Sequence, residues 1–266
     1  MGRGHSSDNY DVATHFTERS ATYDRSSHWV TDPVLRERVL SILAPAPHMW
    51  VLDIACGTGL VSAWFHSRVQ KVIGLDLTPA MAEQAKGRND HLVIGDATES
   101  PFPDRLFDVV IERQGIQFMD DTLAVGEMAR VARPGGAVCL IQLCAYGPED
   151  REEYFEVLRL RNPARQNYYE RADLASLLRD AGLVDVVVHE HHSREDVDVW
   201  TDHRAIPEER REAIRECYRN ASPAFRRLHA VEVGDAIVDN MLFGIAVGRV
   251  PSGPDAWLRG DGKLHR

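Results

Sequence analysis

The stretch that most constrains this chain is Val51-Leu52-Asp53-Ile54-Ala55-Cys56-Gly57-Thr58-Gly59, a short apolar run ending in glycines. An apolar run bounded in this way suits a strand buried on both faces of a parallel sheet. The glycines let the backbone turn sharply and approach a ligand with no Cβ in the way. A helix over Leu60 to His66 is expected next. Ligands of such strand–turn–helix units lie beyond the carboxyl ends of the strands.

The charge at the turn narrows the ligand. Asp53 stands at its mouth, where a carboxylate repels a pyrophosphate and attracts an ammonium group. That sign points away from a dinucleotide and toward the amino-acid end of S-adenosyl-L-methionine. A second run, Lys71 to Leu75, ends in Asp76, about twenty residues past the turn, where a carboxylate accepts from both ribose hydroxyls. NAD and S-adenosyl-L-methionine share that feature. A third run, His91 to Gly95, ends in Asp96-Ala97, a pair suited to an adenine amine. The dinucleotide fingerprint wants a third small residue where this chain has Ser62, a poorer match.

These motifs continue in order. Gly74-Leu75-Asp76-Leu77 is followed by Pro79-Ala80-Met81, then Gly95-Asp96-Ala97, then Phe102-Pro103-Asp104 leading to Phe107-Asp108-Val109-Val110. Glu127 to Val131 and Pro134-Gly135-Gly136 come next, and Phe16 to Tyr23-Asp24 precedes them all. Over residues 10 to 190 the chain resembles the class I S-adenosylmethionine-dependent methyltransferases. It is most similar to the small-molecule type related to the ubiquinone and menaquinone C-methyltransferases. The first glycine of that family's turn is Ala55 here. The resemblance implies an α/β, Rossmann-like, mostly parallel seven-stranded sheet with helices on both faces, a last strand running antiparallel, and a helical lid. It implies S-adenosyl-L-methionine as cofactor, with S-adenosyl-L-homocysteine as product. Its cofactor residues would be Tyr23, Asp53, Ala55, Gly57, Gly59, Asp76, Leu77, Met81, Asp96, Ala97 and Arg113.

Composition agrees with one such domain over residues 8–250. The 266 residues carry 44% apolar side chains, enough for a packed core. Strands are expected near 49–54, 71–75, 91–95, 107–112, 136–144, 183–192 and 240–249, alternating with helices, as a parallel sheet covered on both faces requires. Segments 10–30, 147–169 and 194–235 fall outside the minimal core and are expected as lid; residues 251–266 are expected as a frayed tail. The four cysteines lack CxxC spacing and read as free thiols. With no long apolar run and no signal-peptide core, a cytoplasmic location and no membrane partner are expected. The net charge of −10 argues against a nucleic-acid partner. A small molecule is the expected partner, and a homodimer is an allowed assembly.

Individual residues carry two readings each. His189 to His192 include three imidazoles and a carboxylate, but neighbouring strand residues face opposite ways, so no metal site is expected. Arg159, Arg161 and Arg165 suit surface ion pairs better than an acidic substrate. Cys56 suits a small turn residue better than a nucleophile. Arg113, just past the fourth strand, either anchors an anionic acceptor with its guanidinium fork or turns away to Asp120 or Glu112. Gln114 beside it suits an acceptor hydroxyl or the cofactor carboxylate. His15 and His28 are the near-neutral bases of the N-terminal stretch that also holds Tyr10, Tyr23 and Trp29; His15 is the candidate base beside Arg113. Methyl transfer to oxygen or carbon of a small anionic or phenolic metabolite is the expected reaction. N-methylation of a small amine, and a cyclisation or isomerisation using the cofactor structurally, are the alternatives.

Overall fold

Strands β1 (Trp50–Ile54), β2 (Lys71–Asp76), β3 (His91–Ile94), β4 (Phe107–Arg113), β5 (Ala132–Ala145), β7 (Val184–Asp196) and β9 (Ile237–Arg249) form a sheet in the order β3-β2-β1-β4-β5-β9-β7. The computed structural model describes Val12, Thr14, Phe16, Thr17, Ser20, Asp24, residues 28–202 and residues 206–253. Tyr10, His15, Tyr23 and residues 254–266, for which the sequence carries expectations, lie outside them. Neighbours from β3 through β5 run parallel; β9 runs antiparallel to both β5 and β7. Two short strands, β6 (Tyr169–Glu170) beside β5 and β8 (Glu232–Val233) beside β9, add to the seven expected.

Alternation along each strand divides the core in two. Val51, Val72, Val109, Ile111, Cys139 and Ile141 face one way. They meet helices α1 (Pro33–Leu43), α2 (Leu60–Phe65), α5 (Arg151–Arg161), α7 (Val197–Thr201), α8 (Glu208–Arg219) and α9 (Pro223–Leu228). Leu52, Ile73, Val110, Val138 and Leu140 face the other way, onto α4 (Asp121–Val131) and α6 (Arg171–Asp180). The short helix α3 (Pro79–Gln84) follows β2. Among the described residues no helix is long and apolar enough to cross a membrane.

Two strands exceed their expected lengths. β5 starts at Ala132, opposite Phe107, and a register shift absorbs Arg133 to Gly136. A Cβ on Gly136 would stand 2.8 Å from the Arg133 carbonyl oxygen, so the bend needs glycine. β7 runs on to Asp196 because β9 pairs with it throughout, so Arg194 to Asp196 is strand rather than lid. Segment 147–169 folds as α5 with its following turn, and segment 206–228 as α8 and α9, all on the first face.

Candidate active site

Parallel strands deliver their following loops to one edge, and a solvent-open cavity lies there, with about 680 Å³ of empty space inside it and at its mouth. Its walls come from the ends of β1 to β4: Ala55 and Gly57, Leu75 to Thr78, Gly95 to Ala97, and Arg113 to Gly115. Met81 of α3, Phe118, Met119, Val12 and Phe16 complete the lining. The sequence-expected residues Ala55, Gly57, Asp76, Leu77, Met81, Asp96, Ala97 and Arg113 therefore meet in one space.

The turn after β1 is held open by backbone conformation. Ala55, Gly57 and Gly59 all have positive φ, at 50°, 55° and 77°. A side chain on Gly57 would press on Met81 at 3.2 Å, and one on Gly115 would strike the Ala55 Cβ at 2.5 Å. Gly59 is absent from the cavity wall; it caps α2 and packs near Ala85 and Arg88.

Asp76 is the anchor of this turn. Its Oδ2 accepts from Gly57 N at 2.7 Å and its Oδ1 from Thr78 N at 2.8 Å. A carboxylate has about four acceptor positions, so these two bonds leave acceptor capacity facing the cavity. Burial raises its pKa, and the Thr78 and Gly57 N–H groups with the Thr78 side chain partly offset that. Asp96 Oδ1 accepts from the backbone N and the hydroxyl of Thr98, which orients the carboxylate at the mouth of β3.

Asp53 departs from its expected position at the ligand. Its side chain is 1% exposed, accepts from Ser62 Oγ at 2.6 Å, and is not part of the cavity lining. Strand alternation turns it beneath the glycine turn, and burial pushes it up to about 7. Its field still reaches Arg113. Cys56 is buried, and desolvation with the charges of Asp53 and Asp76 pushes its thiol well above the ordinary range, as a structural turn residue requires.

At the end of β4, Arg113 lines the cavity with its guanidinium over Trp29 at 5.3 Å and Trp64 at 5.0 Å. Its Nη1 donates to the Val30 carbonyl at 3.2 Å. The two carboxylates that might have drawn it away are engaged elsewhere. Asp120 caps α4 through Leu123 N, and Glu112 accepts from Gly115 N, Ile116 N and Gln142 Nε2. Gln114 has φ 59°, and its Oε1 accepts from Gln117 Nε2. Its own Nε2 is buried without a partner, a donor left over in the cavity wall. Non-glycine residues in this backbone region are strained, and such strain concentrates at functional sites.

The N-terminal stretch reaches the same edge. Phe16 packs edge-on against Phe118 at 5.1 Å. Asp24 accepts from Thr58 Oγ1 at 2.6 Å and pairs with Arg88 at 2.8 Å, tying this stretch to the glycine turn. Sequence reasoning named Glu112 only as a partner for Arg113 and missed both its hold on the loop after β4 and the Asp24–Thr58 tie. A carboxylate inside a strand and a threonine between glycines were the available signals.

The histidines of β7 separate as alternation requires. His191 is buried against Asp32 at 2.7 Å, while His192 stacks on Tyr146 at 5.8 Å and Glu190 pairs with Arg171. Among the described residues no His, Cys, Asp or Glu group converges at metal-binding spacing.

A family model described as a methyltransferase domain matches residues 52–140. The demethylmenaquinone methyltransferase of Renibacterium salmoninarum is 32% identical over 170 residues, covering 59% of this chain and 69% of that one. The chain belongs to the class I S-adenosylmethionine-dependent methyltransferases. The malonyl-[acyl-carrier protein] O-methyltransferase of Serratia marcescens is 33% identical over 137 residues, 50% of this chain and 53% of that one. The chain thus spans about half the length of the first curated relatives it matches. In fold, the chain is similar to the YcgJ protein of Bacillus subtilis. The TM-score is 0.75 at 24% identity, over 82% of this chain and 98% of that one.

Proposed function

We propose that this chain binds S-adenosyl-L-methionine in the cavity at the ends of β1 to β4. It transfers the methyl group to an oxygen or carbon of a small anionic or phenolic metabolite. The observation that carries the reading is Asp76: a buried carboxylate fixed by two backbone N–H groups, with acceptor positions remaining at the cavity.

When bound, the cofactor supplies an electrophilic methyl on a sulfonium. Asp76 accepts from the ribose hydroxyls and Asp96 from the adenine amine. Tyr23 covers the methionine end, and Asp53 acts only through its field beneath the turn. Leu77, Met81 and Ala97 supply apolar walls. Arg113 and Gln114 present donors beside the transferring group, which favours an acceptor oxygen with negative charge over an amine. In-line displacement depends on alignment and on exclusion of water, which Phe16 on Phe118 and the Asp24 tie assist. His15, which lies outside the described residues, is the proposed base where a proton must leave. The protein works in the cytoplasm on a small molecule, not on nucleic acid, and a homodimer is compatible with this site.

Calorimetry tests the cofactor assignment. Asp76→Ala removes charge-assisted hydrogen bonds and is expected to weaken S-adenosyl-L-homocysteine binding about tenfold or more. Wild-type affinity in Asp76→Ala would overturn the assignment, and tight NADH binding by the wild type would overturn the whole reading. Transfer of labelled methyl in a metabolite screen separates methylation from a structural use of the cofactor.

A further inference from the structure

Beside the cofactor cavity, the first face of the core holds hydrogen-bond donors that the fold leaves unsatisfied. Arg165 is 8% exposed; its Nε donates to the Asn167 carbonyl at 2.9 Å, and its Nη2 meets no acceptor. The Tyr154 hydroxyl and the indole N–H groups of Trp200 and Trp29 are likewise buried without acceptors, as is Gln114 Nε2. A buried guanidinium with no carboxylate is strongly unfavourable, and native cores satisfy nearly every buried donor. The groups around Arg165 are the neutral phenols of Tyr154, Tyr168 and Tyr169 and the Cys144 thiol. Desolvation lowers its pKa accordingly.

The elements bearing these donors meet. Gln166 N and Asn167 N donate to the Gln117 carbonyl at 2.8 and 3.2 Å, and Gln117 Nε2 donates to the Gln114 carbonyl at 2.8 Å. The turn carrying Arg165 is therefore bonded to the loop that carries Gln114. One helical turn earlier, Arg161 lies 4.5 Å over the Trp200 ring. Trp29 packs against Arg113 and shares one apolar cluster with Tyr154 and Trp200.

We infer that Arg165 and Tyr154 recognise a carboxylate on the methyl acceptor, so that the substrate class is a small monoanionic carboxylic acid. The inference rests on the methyltransferase reading for the word acceptor, and on geometry alone for the anion. One guanidinium among neutral donors matches a monoanion; a dianionic phosphate calls for more positive charge. The missing acceptor oxygens are those the ligand brings, and the turn that carries Arg165 is bonded to the loop whose Gln114 lines the cofactor cavity.

The test is binding of matched probes, followed by calorimetry with and without S-adenosyl-L-homocysteine. The probes are hexanoate, benzoate and phenylacetate against hexanamide, benzamide and phenylacetamide. At least one carboxylate is expected to bind about tenfold or more tightly than its amide. Arg165→Met and Tyr154→Phe should each remove that preference, and Arg165→Lys should restore part of it. S-adenosyl-L-homocysteine affinity should hold in all three. Because Arg165→Met removes an uncompensated charge, its melting temperature without ligand should equal or exceed that of the wild type. Equal binding of acids and amides, no binding of any acid, or an undiminished preference in Arg165→Met overturns the inference. So does a lowered melting temperature in Arg165→Met with the preference intact. Failure of the wild type to bind S-adenosyl-L-homocysteine instead overturns the methyltransferase reading, while the acid–amide comparison still decides this one.

Discussion

At the residue scale, the glycine turn contains one residue in tension with its own backbone. Ala55 sits at φ 50°, where L-residues other than glycine pay about 1–2 kcal/mol in Cβ clashes. Its Cβ is also the atom that keeps Gly115 a glycine. Ala55→Gly removes the clash and adds unfolded-state entropy worth roughly 0.5–1 kcal/mol. The net expectation is a gain of about 0.5 kcal/mol in urea unfolding at unchanged m-value. A loss of stability in Ala55→Gly would show that the Cβ contact outweighs the backbone strain. Gln114, at φ 59°, differs because its side chain lines the cavity.

At the element scale, the end of β4 is shaped by a carboxylate inside the protein. Glu112 is fully buried, and through Gly115 N and Ile116 N it bends the chain that presents Arg113 and Gln114 to the cavity. Burial, opposed by those N–H groups, lifts its pKa from 4.5 to about 7. The folded state therefore binds more protons than the unfolded state between those two values. By linkage, the contribution is fully present below the lower value and is lost as pH rises through the upper one. Asp53, lifted from 3.8 to about 7, adds the same sign. Glu112→Gln keeps an acceptor for the two N–H groups, and Gln142, whose Oε1 has no partner, can rotate to accept from the new amide. The expected result is a variant whose melting temperature falls less than that of the wild type between pH 5 and 8. Parallel curves for the two proteins would show that Glu112 does not titrate in that window.

At the scale of the whole molecule, one buried network joins the helices of the first face to the sheet. His229 Nδ1 meets Asp239 at 2.8 Å and its Nε2 meets Asp150 at 3.0 Å, while the Tyr218 hydroxyl donates to Asp239 at 2.6 Å. Asp150 in turn accepts from Tyr146 N and Gly147 N at the end of β5. Burial pulls the His229 pKa down, but its hydrogen bonds to both aspartates and their charges outweigh that and hold it at about 9. A folded pKa above the ordinary 6.5 means stabilisation complete below 6.5 and lost as pH rises through 9. His229→Gln leaves two buried carboxylates without their cation and is expected to cost roughly 3–5 kcal/mol at pH 6. That deficit should shrink toward pH 9.5 in urea titrations; a deficit independent of pH would make His229 a packing residue stacked on Phe225.

Sequence alone sufficed for the order of the main strands and helices and for the edge where the cavity lies, with Asp76 and Asp96 in its wall. Those features are local. Period-two alternation, glycine at a turn, and an acid at a strand end each act within a few residues. Tertiary structure decided the rest. Strand alternation sends Asp53 under the turn only once β1 is flanked by β2 and β4. Arg165, which reads as a surface charge, becomes a buried donor because the turn after α5 folds onto the loop after β4. His229 finds Asp150 across a sequence separation of 79 residues. Burial and long-range pairing are properties of the packed whole, and they set the pKa and hydrogen-bonding state of each such group.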